Sequence, residues 1–581
     1  MDIFNLLTLI GGLSLFLFGM NLMGQALERR AGGQLRSLLE RLTTGRLAGL
    51  LTGMGVTAVI QSSSATTVMV VGFVNSGLMT LKQAINIIMG ANIGTTVTAW
   101  ILSLAGIDGG NIFVQLLKPS SFTPVLAFIG IIYYMFLKDP KKKDTGTILL
   151  GFATLMFGME TMSGAVSGLR DVPAFQQLFI LFKNPVLGVL AGTALTAVIQ
   201  SSSASVGILQ ALAATGQVSY GAAIPIIMGQ NIGTCVTAII SSVGANKNAK
   251  RAALVHLSFN IIGTAVWLTA FCILRALLHP LLLDEGASRL GIAIAHSVFN
   301  ILCTILMLPL SGFLEKLVTA LVPDAQQPET FSELDERLLT TPSIALEQCH
   351  TVANHMAESS VSALKEALGI LRDYSPEVAT SIREEEDQTD HYEDILGTYL
   401  VNLSTRPISE ADSREAAKLL KMIGDFERIA DHAVNLLESA EELRDKGISL
   451  SAAAGEELSV LSRAVSDILD LSLTAFLKDD LNVAAQVEPL EQVIDQLKEE
   501  LRTRHILRLQ KGECTISAGF AWLDLLTNLE RTADHCSNIA GCVIDAAHDN
   551  LNLHQSLREV RNGSEEFQER YQAYQRQYAL D

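Results

Sequence analysis

Long apolar stretches fill the first part of the chain and are absent from the second. Runs of roughly membrane-spanning length occur at residues 4–26, 83–104, 122–137, 146–165, 222–243, 252–277 and 290–310. About 20 apolar residues are needed to cross the hydrocarbon core of a bilayer. The pattern predicts a membrane domain over residues 1–322, in the cytoplasmic (inner) membrane.

Two pairs of shorter apolar segments differ from these spans. Segments 47–60 and 65–75 flank a QSSS run at 61–64, and segments 186–199 and 204–214 flank another at 200–203. Each segment is too short to cross a bilayer. Polar, irregular backbone is tolerated at membrane depth only where it lines a cavity or is buried in protein. Each pair therefore predicts a re-entrant hairpin with polar residues at its turn.

Both hairpins belong to an internal repeat. TAVIQSSSA begins at Thr57 and again at Thr196, 139 residues later. MGANIGTTVTA begins at Met89 and recurs as MGQNIGTCVTA from Met228, with the same offset. The two copies extend over about residues 45–104 and 184–243.

Basic residues are distributed unevenly among the predicted loops. Dense clusters lie at 29–46, 138–143 and 247–251, whereas the remaining loops carry scattered single charges. By the positive-inside rule, the clustered side is cytoplasmic. Hairpin one then enters from the cytoplasm and hairpin two from outside. Such inverted repeats are found in many secondary transporters, with the binding site at the midplane where the repeats meet.

The repeated polar residues indicate what this site can bind. Hydroxyl groups and helix N-terminal N–H groups donate to anions, and hydroxyl and amide oxygens suit a hard cation such as Na⁺. The spans offer few charges, with Glu160 as the main acid, so a bound anion needs charge compensation from co-bound cations. The alternative is that small residues only permit close helix packing. The candidate ligands are Gln61, Ser62, Ser63, Ser64, Asn92, Thr95, Thr96, Gln200, Ser201, Ser202, Ser203, Asn231 and Thr234.

Two other features fall outside this predicted site. HxxFN segments begin at His256 and His296, and we expect them to form hydrogen bonds between helices. The seven cysteines are scattered and include no CxxC pair, which argues against a disulfide scaffold or a zinc ribbon.

The second half has the composition of an acidic soluble protein. Residues 1–323 carry a net charge of +8 and the remainder −26, which argues against nucleic acid as a partner. Residues 323–342 are predicted as a linker and 549–581 as a polar tail of frayed helix. Residues 343–548 are predicted as about six long helices, with breaks near Ser375–Pro376, Pro407, Gly447 and Lys511–Gly512. GDFERIADHAVN from Gly424 matches TNLERTADHCSN from Thr527, so the helices are predicted to form two similar three-helix bundles.

Paired acidic residues recur in these bundles. The spacing in ExxxD puts two carboxylates on one helix face, and two such helices side by side would present four, enough for a hard metal. A solvated acidic face, or pairing with Arg428 and Arg531, is the alternative. The candidate ligands are Glu386, Asp390, Glu427, Asp431, Glu491, Asp495, Glu530 and Asp534.

The paired QSSS motifs and the two GxNIGT segments resemble the sodium/phosphate cotransporter type II family, in its bacterial branch with a PhoU-like C-terminal domain. The resemblance covers nearly the whole chain. It implies an all-α protein whose two QSSS segments share a site for inorganic phosphate and co-transported sodium ions. It also implies a divalent or ferric metal at the acidic motifs of the PhoU-like bundles. The residues alone predict only a small oxyanion with a hard cation.

These observations predict sodium-coupled transport of inorganic phosphate across the membrane by alternating access, regulated by a cytoplasmic PhoU-like domain. Phosphate export, carriage of another oxyanion, and a membrane-anchored phosphate sensor are the alternatives. The sequence contains no nucleophile–base pair, P-loop or nucleotide fingerprint, so we do not expect an enzyme. A homo-oligomer, the ion stoichiometry and the direction of transport are left open.

Overall fold

Most of the chain that the structure describes is helical. A computed structural model describes residues 3–40, 45–77, 79–106, 119–167, 182, 184–278, 280–323, 334–547 and 565–580. Within these ranges there is no β-strand, and one isolated bridge joins Ser219 to Gly286. The chain divides into two units, Met1–Ala345 and Leu346–Asp581. The predicted all-α class is confirmed.

The helices of the first unit follow the hydrophobic pattern. They are α1 Ile3–Glu40, α2 Arg46–Ile60, α3 Ser63–Asn75, α4 Leu81–Gly94, α5 Thr96–Ser103, α6 Pro119–Phe136, α7 Pro140–Ser167, α8 Pro185–Ile199, α9 Ser202–Ala213, α10 Tyr220–Ser241, α11 Lys247–Leu278, α12 Arg289–Met307 and α13 Ser311–Leu321. Among the described residues, 6 stretches are long and apolar enough to cross a membrane: Ile3–Arg30, Leu81–Gly106, Pro140–Ser167, Tyr220–Ser241, Lys247–Leu278 and Arg289–Met307. The run predicted at 122–137 forms the shorter helix α6.

Capping residues fix where several of these helices begin. Thr80 and Gln83 form a capping box at α4, in which each side chain accepts a hydrogen bond from the backbone N–H of the other. Ser288 caps α12 by accepting from Gly291. Asn184 caps α8, and the following Pro185 suits the first helical position because it has no N–H to leave unpaired. Helix ends need such partners because their first N–H groups have none within the helix.

Glycines bring the helices of each repeat into close contact. Helix α2 packs along α4, and α8 packs along α10. A Cβ atom placed on Gly53 would lie 2.0 Å from the carbonyl oxygen of Ile87, and one on Gly192 would lie 2.1 Å from that of Ile226. Gly53 and Gly192 hold equivalent places in the two repeats. Small residues allow this close approach, which supplies the packing that holds helices together in a bilayer.

The second unit contains six long helices that form the two predicted sets. They are α14 Pro342–Ile370, α15 Pro376–Ser404, α16 Glu410–Asp445, α17 Ala452–Lys478, α18 Leu481–Gln510 and α19 Ile516–Ala547, of which α14 begins in the first unit. Four of their five junctions fall at the expected breaks. The fifth, at Asp479, was not predicted. Asp479 has a φ of 49°, so this left-handed residue ends α17 where no Gly or Pro marks a break.

A further helix lies within the predicted polar tail. Helix α20, Glu565–Gln577, packs on α18. Phe567 and Tyr578 are buried, and the hydroxyl of Tyr571 donates to Gln496 Oε1 at 3.0 Å. Aromatic side chains at helical spacing supply this packing face, so the helix is packed and not frayed.

The glycine contacts generate a stability prediction with a control on the same helix. Gly53→Ala puts a methyl group against the Ile87 carbonyl and should destabilise the membrane unit by about 1–3 kcal/mol, because α2 and α4 must separate. A Cβ on Gly55 has nothing within 4 Å, so Gly55→Ala should be neutral or slightly stabilising. Thermal unfolding of the purified protein in detergent measures both. Equal melting temperatures for the two variants would contradict the packing argument.

Candidate functional site

Each QSSS run interrupts the helical chain in the same way. Helix α2 ends at Gln61, whose φ of 60° and ψ of 21° place it in the left-handed region. Ser62 then caps α3, its hydroxyl oxygen accepting from the N–H of Ala65 at 3.1 Å. In the second copy Gln200 has a φ of 58° and a ψ of 21°, and Ser201 accepts from Ala204 at 3.2 Å. The repeated sequence thus produces a repeated helix break.

The two breaks meet in one cavity of about 250 Å³. Both QSSS runs line it, together with one face of α1 and one residue that follows the membrane helices. The lining residues are Met20, Asn21, Gly24, Gln25, Glu28, Ile60, Gln61, Ser62, Ser63, Ser64, Ala65, Gln200, Ser201, Ser202, Ser203 and Thr340. Eight of the thirteen residues predicted for the membrane site therefore come together.

The cavity offers hydrogen-bond donors and almost no charge. The first turns of α3 and α9 contribute to it, and helix N-termini carry partial positive charge and unpaired N–H groups. The capping oxygens of Ser62 and Ser201 accept from backbone, which leaves each hydroxyl hydrogen available for donation. Glu28 is the one ionisable side chain among the described residues that line the cavity. The cavity is therefore lined mainly by neutral hydrogen-bonding groups, together with one carboxylate.

The two glutamines at the breaks are not equivalent. Gln61 is 7% exposed; its Oε1 accepts from Thr98 Oγ1 at 3.0 Å and its amide nitrogen donates to the carbonyl of Ala58. Gln200 is exposed. The Thr57 hydroxyl, which donates to Thr66 Oγ1 at 3.0 Å, further braces the first break. Side-chain hydrogen bonds therefore brace the break in the first hairpin, whereas the equivalent side chains of the second hairpin make no such bonds among the described residues.

The other predicted membrane-site residues do not line this cavity. Asn92, Thr95 and Thr96 each bond to a carbonyl of their own helical segment, at 3.0, 3.1 and 2.7 Å. Thr234 likewise donates to Gln230 at 3.0 Å. Asn and Thr side chains inside helices commonly make such local bonds. Their role as ligands stays a prediction.

Asn231 joins helices instead of facing the cavity. Its amide nitrogen donates to Asn300 Oδ1 at 2.8 Å, and its Oδ1 lies 3.3 Å from His296 Nε2. All three side chains are buried. The expected role of the second HxxFN segment in bonding between helices is thus seen at α10 and α12.

Sequence reasoning missed the contribution of α1. Asn21, Gln25 and Glu28 recur at helical spacing on one face of an otherwise apolar helix, and the amide of Gln25 donates to Asn21 Oδ1 at 3.4 Å. This stripe of polar residues was the sequence signal that could have revealed the contribution of α1 to the cavity. Glu28 was overlooked because it adjoins Arg29 and Arg30 and reads as part of a loop cluster. Glu160, named as the main acid of the spans, is exposed on α7 and does not line the cavity.

The acidic motifs of the second unit come close to one another without forming a metal site. Burial and the Asp431 and Glu393 carboxylates raise the pKa of Glu427 to about 7. Burial and Glu530 similarly raise the pKa of Asp534. Among the described residues, no group of three or more His, Cys, Asp or Glu side chains could hold a metal ion. The metal expected at these eight residues therefore gains no support.

Ion pairs occupy several of these carboxylates instead. Asp431 lies 2.7 Å from Arg428, Asp534 lies 3.7 Å from Arg531, and Glu530 lies 3.0 Å from Lys498. Pairing with Arg428 and Arg531 was the alternative that the sequence left open. The structure shows that arrangement.

Comparison with known proteins identifies both units. The model of the family described as Na⁺/Pi-cotransporter matches residues 15–164 and 173–292, and the PhoU domain model matches 353–440 and 458–543. The chain belongs to the Na⁺/Pi-cotransporter family and carries a C-terminal PhoU domain. It is a multi-pass membrane protein of a transporter family and not an enzyme.

Several relatives share most or part of this organisation. YjbB of Escherichia coli (strain K12), named for a suspected role in inorganic phosphate export, is 24% identical over 93% of this chain and 97% of its own length. YqeW of Bacillus subtilis is 29% identical over 53% of this chain and 95% of its own. The rat sodium-dependent phosphate transport protein 2A is 24% identical over 45% of this chain and 60% of its own. A PhoU crystal structure from Streptococcus pneumoniae matches 36% of this chain and 99% of its own, at 20% identity and a TM-score of 0.33.

The raised pKa of Glu427 predicts a pH-dependent stability. Because the folded state holds this proton more tightly than an unfolded glutamate of pKa 4.5, stability falls as the pH rises from about 4.5 to about 7. Glu427→Gln should remove that loss and raise the melting temperature of the second unit at pH 8 but not at pH 4. Calorimetry of the detergent-purified protein measures it, with Glu438→Gln, an exposed residue of α16, as control. A Glu427→Gln shift that is the same at both pH values would refute the assignment.

Proposed function

We propose that the chain transports inorganic phosphate across the cytoplasmic membrane together with Na⁺, by alternating access. The observation that carries this proposal is the meeting of both QSSS runs in one cavity. Serine hydroxyls and helix N-terminal N–H groups from two equivalent breaks converge there, as an oxyanion with several acceptor oxygens requires. Membership of the Na⁺/Pi-cotransporter family supports phosphate as that oxyanion.

The charge of the cavity supports sodium as the coupling ion. The described lining residues include no Lys or Arg, and the one ionisable side chain is acidic. A phosphate anion beside Glu28 needs co-bound cations, because like charges at short range in a poorly solvated site repel strongly. The relative named as sodium-dependent supports this coupling. Hydroxyl, amide and carboxylate oxygens at the cavity are suitable ligands for Na⁺.

The internal repeat supports alternating access. The bounds of α2, the start of α3, the left-handed glutamine and the capping serine recur at an offset of 139 residues. We propose that the two copies are inverted re-entrant hairpins. Relative motion of the repeats would then expose the shared site to each side in turn. The PhoU domain acts in this proposal as a cytoplasmic regulator.

Export is the second candidate. A relative aligned over 93% of this chain is named for phosphate export, whereas the sodium-dependent relative aligns over 45%. Both directions use the same site. The imposed ion gradient and regulation by the PhoU domain would decide whether phosphate is taken up or exported.

Phosphate flux in proteoliposomes tests the proposed site. Ser63→Ala and Ser202→Ala should each reduce Na⁺-driven uptake of radiolabelled phosphate by about tenfold or more, because each removes a buried hydroxyl that water does not replace. Ser163→Ala, which alters a hydroxyl of α7 outside the cavity, is the control. Wild-type uptake in either QSSS variant would remove that serine from the site. No phosphate flux by the wild-type protein in either direction would favour a sensor.

The role of Glu28 gives a separate prediction. Glu28→Gln keeps the shape of the side chain and removes its charge, so the Na⁺ concentration for half-maximal uptake should rise about tenfold or more. Glu160→Gln, at an exposed acid of α7 outside the cavity, should leave the Na⁺ dependence unchanged. Uptake measured at stepwise Na⁺ concentrations compares the two. An unaltered Na⁺ dependence in Glu28→Gln would exclude the carboxylate as a cation ligand.

A further inference from the structure

A short segment that follows the membrane helices is built into the first unit. Residues 335–341, here called the docking segment, contain a 3₁₀ turn at Glu336–Thr340. Asp335 caps this turn by accepting from the N–H of Arg337 at 2.8 Å. Asp335, Leu338 and Thr341 are each at most 2% exposed. A segment expected to be a solvated linker is therefore buried against the membrane unit.

One side of the docking segment binds hairpin one. Asp335 Oδ2 accepts from the amide nitrogen of Asn75, the last residue of α3, at 2.8 Å. Leu338 lies over Gly72, where a Cβ atom would come within 2.8 Å of Leu338 Cδ2. Thr340 lines the QSSS cavity. The segment thus runs from the end of α3 to the candidate site.

Its other side binds the second repeat. The guanidinium of Arg337 donates to the carbonyl of Ser241 and, at 3.2 Å, to that of Val243, both at the C-terminal end of α10. A cation is favoured there because helix C-termini carry partial negative charge and unpaired carbonyls. The segment therefore bridges hairpin one of the first repeat and α10 of the second.

The groove that receives the segment is particular to hairpin one. Gly72 and Asn75 correspond, at the 139-residue offset, to Ala211 and Ala214 in the second copy. Neither alanine offers the space of a glycine or the amide of an asparagine. The two hairpins share QSSSA and the helix break but differ at every position from 66 to 75. Among those differences, Gly72 and Asn75 are the residues of hairpin one that contact the docking segment.

We propose that the docking segment is a releasable brake on transport. Alternating access needs the two repeats to move relative to each other, and a bridge between them resists that motion. Helix α14 begins at Pro342, directly after the segment, so a change in the PhoU domain has a short covalent route to the bridge and to Thr340 at the cavity. This inference rests on the proposed transport function.

A reversible cross-link tests the brake. Leu338 Cγ lies 3.2 Å from a Cβ on Gly72, close to the distance of about 3 Å that separates a disulfide sulfur from the opposite Cβ. Gly72→Cys with Leu338→Cys, in a full-length protein whose seven native cysteines are replaced, should form a disulfide on oxidation. Phosphate flux should then nearly cease and return on reduction. Each single cysteine variant under the same oxidation is the control.

Release of the segment gives the opposite result. Arg337→Ala removes the bonds to α10 and should accelerate phosphate flux about twofold or more, within the range by which single residues alter coupling. A double-cysteine protein that inserts but does not form the disulfide would overturn the docking. A disulfide-linked protein that transports phosphate as fast as the same protein after reduction would overturn the brake. Slower flux in Arg337→Ala would also overturn it. If the wild-type protein moves no phosphate, both the proposed transport function and the brake are wrong. Formation of the disulfide would still test whether the segment docks on hairpin one.

Discussion

The break of a helix at each QSSS run is the feature on which the rest of the membrane unit depends. Backbone N–H and C=O groups in a bilayer must find partners within the protein, so a break persists only where side chains or tight turns satisfy it. A left-handed glutamine and a capping serine do this twice, with nearly identical angles. The first N–H groups of α3 and α9 remain without helical partners, and both helix starts line one cavity. The same helix breaks therefore account for the capping side chains and for the proposed capacity to bind an anion.

The two copies have diverged in how they hold these breaks. In the first, Gln61 bonds to Thr98, and the hydroxyls of Thr57 and Thr66 bond to each other. In the second, the hydroxyls of Thr196 and Ser205 have no hydrogen-bond partner among the described residues. The two breaks therefore have nearly the same backbone angles, although fewer side-chain hydrogen bonds stabilise the second one. The docking segment, which binds hairpin one, adds to this asymmetry.

Much of the fold could be predicted because apolar length and repeated motifs are local signals. The short helices beside Gln61 and Gln200 follow from polar interruptions of apolar runs, and the PhoU helices follow from periodicity and turn residues. The junction at Asp479 was missed because an aspartate in the left-handed conformation leaves no Gly or Pro signature. The bridge at Asp335 and the cavity position of Thr340 depend on contacts between residues far apart in the chain, which no local pattern records.

The two QSSS runs of the candidate site were predicted from the sequence, whereas Glu28 on α1 was not. Repetition drew attention to QSSS, and the structure places all eight of those residues at the cavity. The same repetition drew attention to Asn92 and Thr234, which serve their own helices, because a repeated polar residue signals a shared fold as readily as a shared ligand. Glu28 lies outside the repeat, so repetition could not reveal it.

The opposite orientation of the two repeats is the central claim, and cysteine labelling tests it most directly. Lys142→Cys, in the first turn of α7, and Lys183→Cys, just before α8 and outside the described residues, are each placed in a protein without native cysteines. A membrane-impermeant thiol reagent applied to intact cells and to inverted membrane vesicles then reports the side of each position. The account predicts labelling of residue 142 only from the cytoplasmic side and of residue 183 only from outside. Labelling of both positions from the same side would contradict the inverted repeat and the shared site between its two halves.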